Sequence, residues 1–435
     1  MAVPALSAPM PDRLDKCIEI DHSWMNYHTI VEEGSIMKSA VSRRSFLAAS
    51  GMTAVSASRV LGANDRIRLG VIGTGGRGRL HIRQINMKEN LKQEWVAVCD
   101  AWLERAAQGA ETCDADNVKQ YQDYRHLLDR KDIDAVIITT WDNTHAMIAI
   151  DACNAGKDVY VEKPMTNSPE EGLAMVEAVR RNKTILQVGM QQRGIQAFQE
   201  AKEKFIDSGI IGDVNMVRTI WNGNGGYLQT VPKGMNKKPA DLDWNACRGP
   251  LKKVPWDPKM YFNHYAYSDQ SAGGATGGLF VHMIDPVHWY LNLLKCDSAV
   301  AAGGVYHYKD GRDVPDNFNC VLDYQKKINV TFESTVTDMI RKDNTDIVFM
   351  GSGGRLSIFR RGYEFLPADS NKDIGEQIAP GGYDNTMDNW FECMRTRENP
   401  MIDVVSGHYS AMACHIANIA YWEKRRVTWR KEWDV

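Results

Sequence analysis

Two short runs in this 435-residue chain carry the residue types and the order of a chemical site. The first, Gly73-Thr74-Gly75-Gly76-Arg77-Gly78, directly follows the apolar run Ile67 to Ile72. Gly73 permits a tight turn, Gly75 lets the backbone approach a pyrophosphate, and Gly78 lets the next helix pack on the strand. That helix, from about Gly76 and Arg77 onward, aims its N-terminal N–H groups at phosphates. The second run, Glu162-Lys163-Pro164, lies well downstream. Together they predict a nicotinamide dinucleotide on a Rossmann domain, with Lys163 beside its reactive end.

The elements that must position these residues follow from local pattern. Arg66 to Ile72 is β-branched and apolar, as a buried parallel strand requires. A second strand runs from Trp95 and closes on Asp100, where a carboxylate bonds the adenosine ribose hydroxyls and repels a 2′-phosphate. This favours NAD over NADP. Arg105 nearby softens that preference, and Asp100 also fits a plain helix N-cap. A third strand, Asp134 to Thr140, ends in Trp141-Asp142-Asn143-Thr144-His145. Ligands sit at the carboxyl ends of strands in such sheets, so Thr139, Thr140, Trp141, Asn143 and His145 fall on the cofactor side. For His145 a catalytic role and a helix-capping or core role are weighed equally. Helix Ala146–Asn154, a Gly156 stop and strand Asp158–Glu162 then deliver Lys163 at a strand end, with Pro164 fixing the backbone behind it.

The chain resembles the Gfo/Idh/MocA oxidoreductase family, which includes glucose–fructose oxidoreductase and inositol dehydrogenase. The resemblance rests on Gly73–Gly78, Asp100, Thr139–His145, the run Ala155 to Pro164, and Gln187 to Arg193. It continues through Leu242-Asp243-Trp244, Gly249-Pro250, Gly273–Trp289 and Val427–Trp429, and so covers essentially all of 64–435. It implies an α/β Rossmann domain followed by an α+β domain with a large open, mostly antiparallel sheet. Strand-like runs at 214–221, 298–307, 317–323, 328–336, 345–350 and 355–359 support that independently. Gly351-Ser352-Gly353-Gly354 reads as a hairpin turn rather than a phosphate loop. Final helices are expected at about 385–397 and 407–424. The resemblance also implies pairing of sheets across subunits in a homodimer or homotetramer.

The same resemblance assigns roles. Lys163 is implied to orient or polarise the reacting hydroxyl oxygen. His282, on a helix opening at Gly277-Gly278, matches the family's general base, and Asp285 one turn on is expected to orient His282 or bond a substrate hydroxyl. Gln191 and Arg193, with Glu162, join the cofactor-side candidates. His288 is assigned to packing. One departure stands out: inositol-dehydrogenase-like members carry an aspartate four residues before the histidine, where this chain has Gly278. Asn222, Asn224, Tyr227, Trp244, Tyr265 and Tyr267 suit a sugar site, where rings meet apolar C–H faces and amides meet hydroxyls.

Composition excludes several classes. With 43% hydrophobic residues, 25% charged residues and a net charge of -3, the chain is globular and has no basic stripe for nucleic acid or an anionic membrane. Nine cysteines show no C-x-x-C spacing, so neither a metal site nor a dithiol pair is indicated. Ser42-Arg43-Arg44-Ser45-Phe46-Leu47 and the small residues to Ala63 look like a twin-arginine export signal, too short and polar for a membrane span. The reading is therefore an upstream extension at 1–36, a signal at 37–63, an NAD-binding domain at 64–189 and a substrate and oligomerisation domain at 190–435. Folded export to the periplasm suits a protein that loads its cofactor in the cytoplasm and holds it tightly.

Three functions fit these features. The first is an NAD-dependent oxidoreductase acting on a hydroxyl of a sugar, sugar alcohol or glycoside. The second is a glycoside-cleaving enzyme that oxidises, eliminates and re-reduces with retained NAD. The third is a sugar-binding protein without turnover.

Overall fold

The computed structural model describes residues 66–223, 231–325, 327–337, 345–360, 362–369 and 384–435. Arg43-Arg44, Asn224 and Tyr227 lie outside them.

The first part of the chain alternates strand and helix: β1 Ile67–Ile72, α1 Gly76–Asn86, β2 Gln93–Cys99, α2 Leu103–Cys113, β3 Lys119–Tyr121, α3 Tyr124–Leu128, β4 Ala135–Ile138, α4 Asp142–Asn154, β5 Asp158–Glu162, α5 Pro169–Asn182 and β6 Leu186–Gly189. The strands pair in the order β3-β2-β1-β4-β5-β6, all parallel. Strands β4 and β5 are buried at every residue, because helices cover both faces. The expected helix at Ala146 begins four residues sooner, at Asp142. Asp, Asn and Thr read as turn formers, yet an acid is well tolerated in a first helical turn.

The second part holds α6 Gln196–Ala201, β7 Val214–Trp221, α7 Trp244–Arg248, α8 Pro258–Phe262, α9 Val281–Leu291, β8 Ser298–Gly304, β9 Asn317–Tyr324, β10 Ile328–Thr335, β11 Thr345–Gly351, β12 Gly354–Phe359 and β13 Gly362–Pro367. It ends in α10 Thr386–Thr396, α11 Val404–Glu423 and β14 Val427–Thr428. Eight strands form one sheet, ordered β13-β12-β11-β7-β10-β9-β8-β14. Its pairs are antiparallel except β7 with β10. Ser352-Gly353 is the two-residue tip of the β11–β12 hairpin, as expected. Alternate residues of β10 are buried, and Phe280, just before α9, stacks on Phe332 of that face at 4.6 Å. Strands β13 and β14 escape the sequence pattern, one ending in Pro367 and the other only two residues long.

A turn of π-helix over Thr276–Phe280 feeds α9, a local irregularity frequent at functional sites. One continuous core joins the two sheets, from Ile138 and Val188 through Ile284 to Phe332 and Ile416. The chain also returns on itself. Trp390, Phe391 and Met394 of α10 pack among Ile67, Leu69 and Tyr160 in the first domain's core. Lys88–Asp388 at 2.7 Å and Arg397–Asp158 at 2.6 Å flank that contact. All cysteines among the described residues are free thiols, and all but Cys247 are buried.

Candidate active site

The glycine-rich turn sits between β1 and α1. A Cβ on Gly78 would lie 2.2 Å from the Gly73 carbonyl oxygen, so only glycine lets helix and turn meet. A Cβ on Gly75 would meet nothing nearer than Arg105 Nη1 at 3.6 Å, and one on Gly76 nothing within 4 Å. The α1 N-terminus has no side-chain cap and no acid in its first turn. Open space over uncapped N–H groups suits an anionic pyrophosphate.

Several cofactor-side candidates instead lock this turn. Thr139 Oγ1 donates to the Gly73 carbonyl. Thr74 is fully buried, and its hydroxyl donates to the Arg105 carbonyl at 2.8 Å, toward α2 rather than toward a phosphate. Asp100 lies just past β2. Its Oδ2 accepts the Thr74 N–H at 2.8 Å and its Oδ1 accepts the Trp102 N–H at 2.9 Å. Burial pushes its carboxyl upward, and Arg105 and these N–H groups oppose that. Asp100 thus braces two loops; it is not the helix cap that its sequence position also allowed, since Trp102 holds the N-cap position of α2.

The segment after β4 is equally structural. Thr140 Oγ1 accepts from Thr144. Asn143 Nδ2 donates to the carbonyls of Cys247 and Arg248 across the domain boundary. His145 is buried, with Nδ1 2.8 Å from the Pro164 carbonyl and Nε2 3.1 Å from the Thr140 carbonyl. Both ring nitrogens face backbone carbonyls, and the single N–H of the neutral ring can donate to only one of them; His145 thus packs against the lysine loop, the core role its position permitted. Trp141 stacks on His264 at 5.3 Å, a residue the sequence did not flag.

Lys163 emerges after β5 through a cis Lys163–Pro164 bond. Its Nζ donates to the Gly278 carbonyl at 3.0 Å, joining the two domains at one point. Burial lowers its ammonium below the usual range, and Asp142 and Glu162 partly restore it. Glu162 Oε1 lies 2.6 Å from His81 Nε2 and 3.5 Å from Arg77 Nε. Burial works against that carboxylate, but Arg77, His81 and Lys163 outweigh it and hold it down to about 2. Glu162 is therefore an ionised brace, with Arg77 turned toward it.

His282 is 4% exposed on α9. Its Nδ1 lies 3.0 Å from Gln192 Oε1, so Nδ1–H donates and Nε2 keeps its lone pair. Burial, then Lys163, Arg360 and Arg77, drive its pKa well below the ordinary imidazole value. The ring is neutral at neutral pH and able to accept a proton. Trp221 packs on it at 5.6 Å, and Arg360 covers Trp221 at 5.3 Å.

Two expectations change. Asp285 does not orient His282: its carboxylate is fully buried and accepts from Arg193 Nε and Nη2, at 2.8 and 2.7 Å, and from the Ser410 hydroxyl at 3.1 Å. The i, i+3 spacing placed the two residues on one side of the helix, but the 3₁₀ turn Gln191–Gly194 delivers Arg193 to that carboxylate first. Arg193 is consequently held inside the protein rather than turned to a ligand. In the same turn Gln192, which the sequence did not single out, reaches His282. His288 packs, its Nε2 2.7 Å from the Tyr324 hydroxyl.

Asp142 is a further residue that sequence reasoning missed, after His264 and Gln192. It opens α4, is 2% exposed, and its Oδ2 has no hydrogen-bond partner among the described residues. Burial raises its carboxyl to about 7, against the pull of Lys163. Of the proposed sugar-site residues, Asn222 accepts from the Thr335 N–H, and Trp244 is buried with its Nε1 on the Val254 carbonyl.

Comparison with known proteins gives this geometry a context. The model of the Gfo/Idh/MocA oxidoreductase family, with its NAD-binding Rossmann fold, matches residues 67–190. Inositol 2-dehydrogenase 3 of Saccharopolyspora erythraea is 37% identical over 155 residues, covering 35% of this chain and 44% of that protein. Inositol 2-dehydrogenase of Salmonella typhimurium is 36% identical over 169 residues, covering 38% and 48%. The chain therefore spans less than half the length of these relatives. Over the whole fold, levoglucosan dehydrogenase in complex with NADH aligns with a TM-score of 0.65 at 19% identity, covering 84% of this chain and 99% of the other. The WlbA dehydrogenase from Bordetella pertussis, in complex with NADH and UDP-GlcNAcA, aligns at 0.64 and 21%, with the same coverage. Residues 67–190 are an NAD-binding Rossmann domain, and the second domain shares its fold with these dehydrogenases.

Proposed function

We propose that the protein is an NAD-dependent oxidoreductase acting on a hydroxyl of a sugar, sugar alcohol or glycoside. The observation that carries this reading is the joining of Lys163 to Gly278, on the π-helical turn that leads into α9 and His282. A buried ammonium and a neutral imidazole thus meet beside an NAD-binding domain. Gly73, Gly75, Gly76 and the α1 N-terminus would hold the dinucleotide, with Asp100 toward its ribose. Bound NAD supplies a hydride acceptor at C4 of its nicotinamide. Lys163 donates a hydrogen bond to the reacting oxygen and favours its alkoxide character. His282 Nε2 accepts the hydroxyl proton, while Gln192 fixes the ring's tautomer. The inositol and levoglucosan dehydrogenases among the similar proteins support a polyhydroxylated substrate.

Glycoside cleavage with retained NAD is the second reading. Gly278 favours it: the side-chain acid that precedes the histidine in inositol dehydrogenases is missing here, and Lys163 bonds the backbone carbonyl at that position. Export to the periplasm, a tightly held cofactor and a homodimer or homotetramer belong to the same proposal and rest on the sequence.

Lys163→Ala tests the reading. Assayed on a panel of sugars and glycosides, it is expected to keep bound dinucleotide but lose about 10²- to 10⁴-fold in turnover. Wild-type rates would remove Lys163 from the mechanism. Net NADH formation by the wild type identifies a dehydrogenase, whereas cleavage without NADH identifies the second reading.

A further inference from the structure

Residues 235–262 leave the second domain and lie across the carboxyl end of the first sheet. Leu242 bridges Trp102 in antiparallel fashion, with Leu103 N–H on the Asp241 carbonyl at 3.2 Å and Asp243 N–H on the Ala101 carbonyl at 2.8 Å. Side chains reinforce this seam. Asp241 accepts the Trp102 indole N–H and the Glu104 N–H, both at 3.1 Å. Gln122 donates to the Ala101 and Asp241 carbonyls at 3.0 and 2.8 Å. Asn143 ties down the far end through Cys247 and Arg248.

The seam's location matters. Trp102 follows β2 and Trp141 follows β4, the two strand ends that flank β1 and its glycine turn. On this architecture the adenosine half of a dinucleotide lies there, its ribose against the residue that Asp100 supplies. Tyr261 of the crossing segment meets Trp102 at 5.9 Å and Trp141 at 5.1 Å. Arg105 lies over both Trp102 and Tyr261, at 5.3 and 5.0 Å, with Nη1 beside Gly75. An aromatic wall and a guanidinium suit an adenine ring and a diphosphate.

We propose that residues 235–262 form a clasp over the adenosine half of the bound dinucleotide, so that the cofactor exchanges only when the clasp detaches. The proposal rests on the NAD-dependent reading above. It gives a physical basis for cofactor retention: the hydrogen-bonded seam and the aromatic cluster must both open before the nucleotide leaves.

The test is cofactor exchange on the full chain, purified without added nucleotide. Bound NAD(H) is measured by mass spectrometry after denaturation, and its exchange for added etheno-NAD is followed by fluorescence. Wild type is expected to retain NAD(H) and exchange it slowly. Asp241→Ala is expected to exchange about tenfold faster or more, the scale set by losing hydrogen bonds to a charged group. Gln122→Ala removes two seam bonds from the other side, and is expected to act in the same direction if Asp241→Ala fails to fold. Equal exchange in wild type and folded variants that hold NAD overturns the clasp while leaving the NAD reading intact. A variant that binds more tightly than wild type also overturns it, marking the aromatic cluster as a plug. A wild type that binds no dinucleotide at any concentration overturns the cofactor reading itself, and the clasp with it.

Discussion

Burial governs the chemistry open to Lys163, His282 and Asp142. Each loses hydration, so each is driven toward its neutral form. For His282 this leaves Nε2 unprotonated and open to a proton at neutral pH, while lowering its basicity. For Asp142 it yields a pH dependence. The folded state keeps a proton that the unfolded chain releases near 3.8, so stability is complete below that value and falls as the pH rises toward about 7. Asp142→Asn abolishes the effect. In urea unfolding the variant is expected to gain on wild type steadily through this window, then run parallel above it. Parallel curves throughout would mean that Lys163 keeps Asp142 ionised. The Arg193–Asp285 pair shows the other use of buried charge: its two parallel bonds hold the 3₁₀ turn whose Gln192 sets the His282 tautomer.

The β1–turn–α1 element separates two duties of glycine. At Gly78 a methyl group would strike the Gly73 carbonyl at 2.2 Å and the Thr139 hydroxyl at 2.8 Å. Gly78→Ala is therefore expected to cost about 1–3 kcal/mol of stability through overpacking. At Gly75 the nearest atom is 3.6 Å away, and φ is -63°. Gly75→Ala is expected to melt with wild type yet bind NAD about tenfold more weakly or worse, because the methyl group stands where a pyrophosphate approaches. Calorimetry on both variants, each with and without NAD, separates the two duties. If Gly75→Ala binds NAD normally, the pyrophosphate does not lie over this turn.

At the scale of the molecule, the two domains are one folding problem. Trp390, fully buried, meets Tyr160 of β5 at 5.6 Å, so the nucleotide-binding core is completed by a helix from the far end of the chain. Trp390→Ala is expected to cost about 3–5 kcal/mol and to lower hydrogen-exchange protection in β1 as well as in α10. Protection lost in α10 alone would show that the first domain stands without it. The same closure brings Lys163 of one domain to the Gly278 carbonyl of the other. Loss of that packing is therefore expected to reach the site.

Local pattern was enough to read the strand–glycine–helix unit, the strand that ends at Glu162, and most strands of the second sheet. Period, turn chemistry and β-branching act over a few residues, and the folded chain obeys them. The placement of Lys163 at a strand end was likewise legible in the sequence, and His282 was a candidate by family resemblance. Contacts between distant segments were not legible there. Asp285 stands one turn from His282 in the chain, but its charge is best satisfied by Arg193, ninety-two residues away in sequence. The Gln192 contact with His282, the Asp142 Oδ2 without a partner, the α10 return and the 235–262 seam are all outcomes of which groups meet when surfaces are buried. Burial demands a partner for each charge and each polar group, and only tertiary packing determines which one is within reach.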